Sequence, residues 1–152
     1  MHKLIAFSTM AMVLFLAPPA FAQRCQPWRG SGGWGAGEPY ARMYNAATVE
    51  TIKGTIVSIG EVGGRGTAPG VHALLKTDKE TISVHLGPAW FVDNQDVKLQ
   101  KGEAVEVLGS RVDYQGKPAI VAAEVTTRNA TLKLREADGT PLWAGWRRRT
   151  GS

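Results

Sequence analysis

The stretch that most restricts the fold is "GVHALLKTDKETISVHLGP", residues 70–88. Two runs of alternating character flank a short polar centre, and a histidine lies near each end. Placing a turn at Asp78-Lys79 and pairing outward sets Val71 against Leu86, Ala73 against Val84 and Leu75 against Ile82, all apolar. On the other side His72 faces His85, Leu74 faces Ser83 and Lys76 faces Thr81. A period of two sends one side to a core and the other to solvent or a ligand. A slip of one residue would oppose the apolar set to the polar set, so the pattern specifies its own register. Asp-Lys is a poorer two-residue tip than Asp-Gly, and a four-residue Thr77–Glu80 loop gives the same pairing. Either turn predicts a hairpin with His72 and His85 side by side on its outward face.

The remaining chain extends this hairpin into a mainly β fold. "TVETIKGTIVSIG" (48–60) reads as a first strand, with Gly54 as a bend or bulge site. "KGEAVEVLGSRVDYQGKPAIVAAEVT" gives strands over 103–113 and 118–127 around Gln115-Gly116. Gly87-Pro88 ends the third strand, and "PAWFVDNQ" predicts a short helical turn whose Trp90 and Phe91 plug a core. The order strand, strand, strand, short helix, strand, strand suits a five-stranded OB-fold barrel, with an SH3-like barrel as its main rival. After it, "ATLKLREADGTPLWAGWRRR" predicts a C-terminal β-hairpin tipped by Asp138-Gly139, with Leu134 facing Trp143 and Pro141 confining it to an edge.

The ends set the context. "MHKLIAFSTMAMVLFLAPPAFAQ" has a basic Lys3, an apolar run and Ala20-Phe21-Ala22, the pattern of a secretory signal cleaved near Ala22. Its run is shorter than the roughly 20 residues that span a bilayer, and retention as an uncleaved anchor is the other reading. The organisation is then a signal peptide (1–22), a flexible Gly- and aromatic-rich arm (23–47), the barrel (48–127), the C-terminal hairpin (128–146) and a basic tail (147–152). Export places the mature chain in the periplasm or outside the cell. The one cysteine, Cys25, excludes an internal disulfide and leaves a tail thiol, an intermolecular partner or a metal ligand.

Net charge is +5. Residues 46–146 hold nearly equal numbers of acidic and basic side chains, so the excess belongs to the ends, above all to Arg147, Arg148 and Arg149. That cluster is a solvated tail or a contact for an acidic partner or anionic lipid. It and the signal are the only expected membrane contacts. A neutral body and an exported address argue against nucleic acid, and the strand 2–3 face lacks an obvious aromatic platform for bases.

Barrel segments "TVETIKGTIVSI", "VHLGPAWFV", "KGEAVEVLGSRV" and "GKPAIVAAEV", spanning about residues 48–127, resemble small exported bacterial OB-fold proteins, including the stress-associated periplasmic bacterial OB-fold family. "VHLGPAW" followed by "LREADGTPLWAGW" resembles a narrower group of uncharacterised secreted proteins. The resemblance implies an OB barrel and carries over no catalytic residue. A shared barrel does not transfer an activity.

The sequence holds no nucleophile elbow, metalloprotease helix or phosphate loop, and Asp93 and Asp96 fall on a helix-to-loop segment, so no enzyme chemistry is expected. Opposed on one face, His72 and His85 would have Cβ atoms about 4.5–5.5 Å apart. Two imidazoles so placed could share Cu(II), Ni(II) or Zn(II), although a tight site wants about three or four ligands and only Met43 and Cys25 in the arm could add soft ones. The expected function is a non-enzymatic binding or accessory module that docks a protein or small ligand, using His72, Leu74, Lys76, Thr81, Ser83, His85 and Tyr114. The Glu61–Gly70 loop and the Tyr114–Pro118 turn would border this face. Transition-metal binding through His72 and His85 is the first alternative; single-stranded nucleic-acid binding is the second.

Overall fold

The computed structural model describes residues 32–63 and 67–144. The signal segment, Cys25, Trp146 and the Arg147–Arg149 cluster lie outside the described residues. Six strands and one short helix follow in order: β1 (Val49–Val62), β2 (Gly70–Lys76), β3 (Thr81–Pro88), α1 (Ala89–Val92), β4 (Ala104–Tyr114), β5 (Lys117–Thr126) and β6 (Thr131–Lys133). The sheet order is β3-β2-β1-β4-β5-β6, with every neighbouring pair antiparallel. A further parallel pairing joins β3 to β5 through Ser83–Ala119, Val84–Ile120 and His85–Val121. The fold is mainly β, as the alternation predicts.

β1 is long because it serves two partners. Val49–Thr55 pairs with β4, and Thr55–Val62 pairs with β2. At the changeover a Cβ on residue 54 would lie 2.4 Å from the Lys76 carbonyl oxygen, so only glycine admits the crossing. The bulge expected near Gly54 lies instead between Ile56 and Ser58, where Val57 is the extra residue.

The β2–β3 hairpin keeps the predicted register from Lys76–Thr81 to His72–His85. Beyond it the register shifts: Val71 pairs with Gly87, not with Leu86. Leu86 is thereby the unpaired residue of a bulge, yet it remains buried in the core. The four-residue version of the turn forms. The Thr77 hydroxyl accepts from the amides of Lys79 and Glu80 while donating to the Glu80 carbonyl. Thr127 closes the β5–β6 turn in the same manner through Asn129 and Ala130.

Ile56, Leu75, Ile82, Val84, Val107, Ile120 and Val125 fill the interior, extended by Phe91, Leu132, Leu134 and Trp143. Phe91 is buried as a core plug, whereas Trp90 is half-buried at its margin. No helix among the described residues is long and apolar enough to cross a membrane.

The flanks differ from expectation. In place of a regular C-terminal hairpin, Thr131–Lys133 joins the main sheet as β6, and only Arg135–Pro141 forms a bridge around the Asp138-Gly139 turn. Leu134 accepts from the amide of Leu142, so its neighbour across the turn is Leu142, one residue before Trp143. Pro141 has no N–H to extend a ladder, and residues 142–144 turn away in a single 3-10 turn. The described part of the arm, 32–47, packs on the body. Trp34 is 8% exposed and donates to the Ala68 carbonyl, and Trp143 donates to the Trp34 carbonyl at 2.7 Å. Asn45 and Thr48 tie the same segment to the buried Ser110 hydroxyl of β4.

Candidate functional site

Antiparallel pairing brings His72 of β2 directly opposite His85 of β3. Their rings stack with centroids 3.8 Å apart and planes 10° apart. Tyr114 meets them edge-on, 4.7 Å from His85 and 6.4 Å from His72. It is not a loop residue: it ends β4, paired with Lys117 across the Gln115-Gly116 turn. Both turn residues have positive φ, 55° and 77°, the left-handed pair that a tight two-residue hairpin demands. The turn therefore delivers Tyr114 and Lys117 together to the edge of the histidine pair.

The arm covers the pair from its far side. The Tyr40 ring lies nearly parallel to His85, and its hydroxyl sits 3.1 Å from Nδ1 of that ring. Tyr40 in turn packs against Trp34 at 4.6 Å. His85, placed by alternation on an outward face, is thus only 1% exposed, while His72 is half-buried. Arg135, 3% exposed, lies close enough to the Tyr40 hydroxyl to interact with it. Its Nη1 donates to the carbonyls of Leu86 and Ala122, and its guanidinium rests 4.7 Å from the centre of a Trp143 ring.

Burial sets the electrostatics. Desolvation, the neighbouring His72 and the Arg135 charge push His85 down to about 3, and desolvation lowers His72 as well. Both imidazoles are neutral at pH 7. Burial raises the Tyr40 phenol far above its usual range, with the nearby guanidinium opposing the shift. The guanidinium lies close enough to the phenol for the two groups to interact, while Nε and Nη2 have no partner within ordinary hydrogen-bond distance among the described residues.

A pocket of about 380 Å³ opens on this assembly, lined by His72, Ser83, His85, Tyr114, Gln115 and Lys117 among others. Four residues picked from the sequence (His72, Ser83, His85 and Tyr114) therefore converge. Leu74, Lys76 and Thr81 do not line it; they are exposed farther along the hairpin, toward its turn. Sequence reasoning missed Tyr40, Arg135 and Lys117 as individual residues. Only Lys117 had a signal, its place in the Tyr114–Pro118 turn.

Metal geometry is poor here. Imidazole lone pairs lie in the ring plane, and parallel stacked rings project them side by side instead of toward one point. Among the described residues, no three His, Cys, Asp or Glu side chains form a group that could hold an ion. Met43 is half-buried within a 3-10 turn, Ala41–Met43, of the arm.

A second, larger concavity of about 920 Å³ lies near the β2–β3 turn. Arg111 spans it, holding Glu50 and Glu80 at 2.6 Å each, and Lys53 pairs with Glu106 at 2.9 Å. Its lining mixes acidic and basic groups, and those three ion pairs already satisfy one another.

No curated protein matches the chain closely enough to count as a relative. Residues 48–132 match the MamS/MamX magnetosome protein family. That span contains the pocket's lining and excludes Tyr40, Arg135 and Trp143, which cover it from behind. The match takes in more than half of the sequence, and the chain belongs to the MamS/MamX magnetosome protein family.

Proposed function

We propose that this protein is a non-enzymatic, exported binding or accessory module that docks a protein or small ligand at the His72–His85–Tyr114 pocket. One observation carries the reading: two neutral, stacked imidazoles line a pocket whose margin is built from Tyr114 and Lys117. Desolvating two histidines costs free energy, and a purely apolar strand face would avoid that cost. The ring of pairings β1-β2-β3-β5-β4-β1, with α1 between β3 and β4, supports a five-stranded OB barrel. In that plan the strand 2–3 face and the loops after strands 1 and 4 form the usual binding surface. Membership of a magnetosome protein family supports a magnetosome-related role, and the signal-like start supports work in the periplasm or beyond.

The transition-metal alternative draws on the neutrality of both rings, since a ligating imidazole must be deprotonated. It requires His72 to rotate off His85 and further ligands to arrive. Nucleic-acid binding gains a small ring platform from His72 and Tyr114 but no strongly basic groove among the described residues.

The test is a photo-crosslinking side chain at Ser83 in the exported protein. Adducts should be competed by unlabelled wild type and not by Tyr114→Ala. Equal adducts from a crosslinker at Lys53 would contradict the assignment. Thermal unfolding with Cu(II), Ni(II) or Zn(II) should show no saturable stabilisation. Stabilisation abolished by His72→Ala or His85→Ala would replace this reading with the metal one.

A further inference from the structure

Arg135 is a buried guanidinium with two donor nitrogens outside any ordinary hydrogen bond among the described residues. Nη1 is engaged by the Leu86 and Ala122 carbonyls, but Nε and Nη2 have no partner within ordinary hydrogen-bond distance among the described residues. A guanidinium has five N–H donors and no acceptor, so any polar group beside it must turn an acceptor toward it. The group its charge acts on is the Tyr40 hydroxyl, which burial keeps protonated. A neutral phenol beside a cation points its oxygen lone pairs at the cation and its proton away. His85 Nδ1, 3.1 Å from that oxygen, is the acceptor available to the proton. Nδ1 then carries no hydrogen, and the neutral ring holds its one proton on Nε2.

We propose that Arg135, acting through Tyr40, is a positioning residue that fixes His85 as the Nε2–H tautomer and makes the pocket a receptor for a small planar carboxylate. The inference rests on the pocket assigned above and names what it takes. With Nδ1 committed to Tyr40, Nε2 is the nitrogen left for the pocket that His85 lines. A protonated Nε2 donates to an acceptor and has no lone pair for a metal ion. Metal binding there would move the proton to Nδ1 and reverse the Tyr40 hydrogen bond. The phenol proton would then turn toward Arg135, which has nothing to accept it.

The other polar lining agrees. Lys117 supplies a cation, Ser83 and Gln115 supply donors, and among the described residues no Asp or Glu lines the pocket. The faces and edges of His72 and Tyr114 suit a flat ligand.

Long-range proton–nitrogen NMR on the labelled full chain at neutral pH reads the tautomer directly. His85 should show a bare Nδ1 and a protonated Nε2. Tyr40→Phe should lose the preference, and Arg135→Lys should retain it. Benzoate should shift the His72 and His85 resonances saturably, with affinity falling about tenfold in Lys117→Gln, as expected for one lost charge-assisted contact. Benzamide, which has the same shape without the charge, should bind far more weakly. A protonated Nδ1 in the wild type overturns the proposal, as does equal binding of benzoate and benzamide or no shift with millimolar benzoate. The wild-type spectrum decides even where a variant fails to fold. Specific Ser83 crosslinks that persist while benzoate fails sink this inference alone; crosslinks that Tyr114→Ala competes as fully as wild type sink the docking function.

Discussion

The pocket at the Tyr114 end and the groove at the β2–β3 turn are concavities built on opposite principles. The groove is larger and more charged, but Arg111, Glu50 and Glu80 already satisfy one another within reach of water. The pocket is smaller, and folding has taken His85 in its wall and Arg135 behind it out of water, with Tyr40 half-buried beside them. Exposed ion pairs contribute little and are screened by salt. Buried polar groups lacking full partners are costly and signal a role beyond holding the fold together. The groove is the larger of the two; the proposed docking function rests on the buried polar chemistry of the pocket.

The largest effect should come from removing the aromatic support behind the pocket. Trp143→Ala takes away the ring under Arg135, the donor to the Trp34 carbonyl and a contact with Phe91 at 5.4 Å. Urea unfolding should report a loss of about 3–5 kcal/mol. A loss no larger than that of a surface substitution would remove the contrast between the regions.

Acid should come next. The folded state holds His85 at about 3 against 6.5 for the free side chain, so the unfolded chain binds more protons between those values. Stability is therefore full above pH 6.5 and falls as pH drops through that window. Allowing for partial access from the pocket, the loss from pH 7 to pH 4 should be on the order of 3 kcal/mol. His85→Gln should flatten that part of the profile.

Tyr40→Phe deletes the hydroxyl between His85 and the Arg135 charge. It should cost about 1–2 kcal/mol, because buried polar groups lose their partner. Chemical denaturation alongside the His85 tautomer would separate this from a packing defect. Smallest of all, Arg111→Ala should lower the Tm by about 2–4 °C at low salt, with the difference shrinking near about 1 M salt. An equally large, salt-independent drop would show that the groove is the structural centre and collapse the comparison.

What could be read from the chain follows the range of each interaction. Alternation alone placed His72 against His85, because a one-residue slip would expose Leu75 and Ile82. The bulge at Leu86 left no mark, since an apolar residue remains apolar and buried whether or not it pairs. Around Asp138-Gly139 the turn was legible but the register was not: Pro141 interrupts the ladder before a side-chain pattern can fix it. Tyr40 and Arg135 were invisible as site residues for a different reason. "LREAD" has the look of an exposed strand end, and Arg135 is buried because a segment nearly a hundred residues earlier folds over it. No local period records such a contact. The strand-borne half of the site, His72, Ser83, His85 and Tyr114, was within reach of pattern reasoning. The half supplied by the flanks was not.

The decisive measurement is an NMR pH titration of the two imidazoles in the folded protein. The account requires His85 to stay uncharged through the ordinary histidine range and to take its proton only near 3. An inflection close to 6.5, with the fold intact, would mean that the ring is open to water and that no desolvated receptor exists at this end of the molecule.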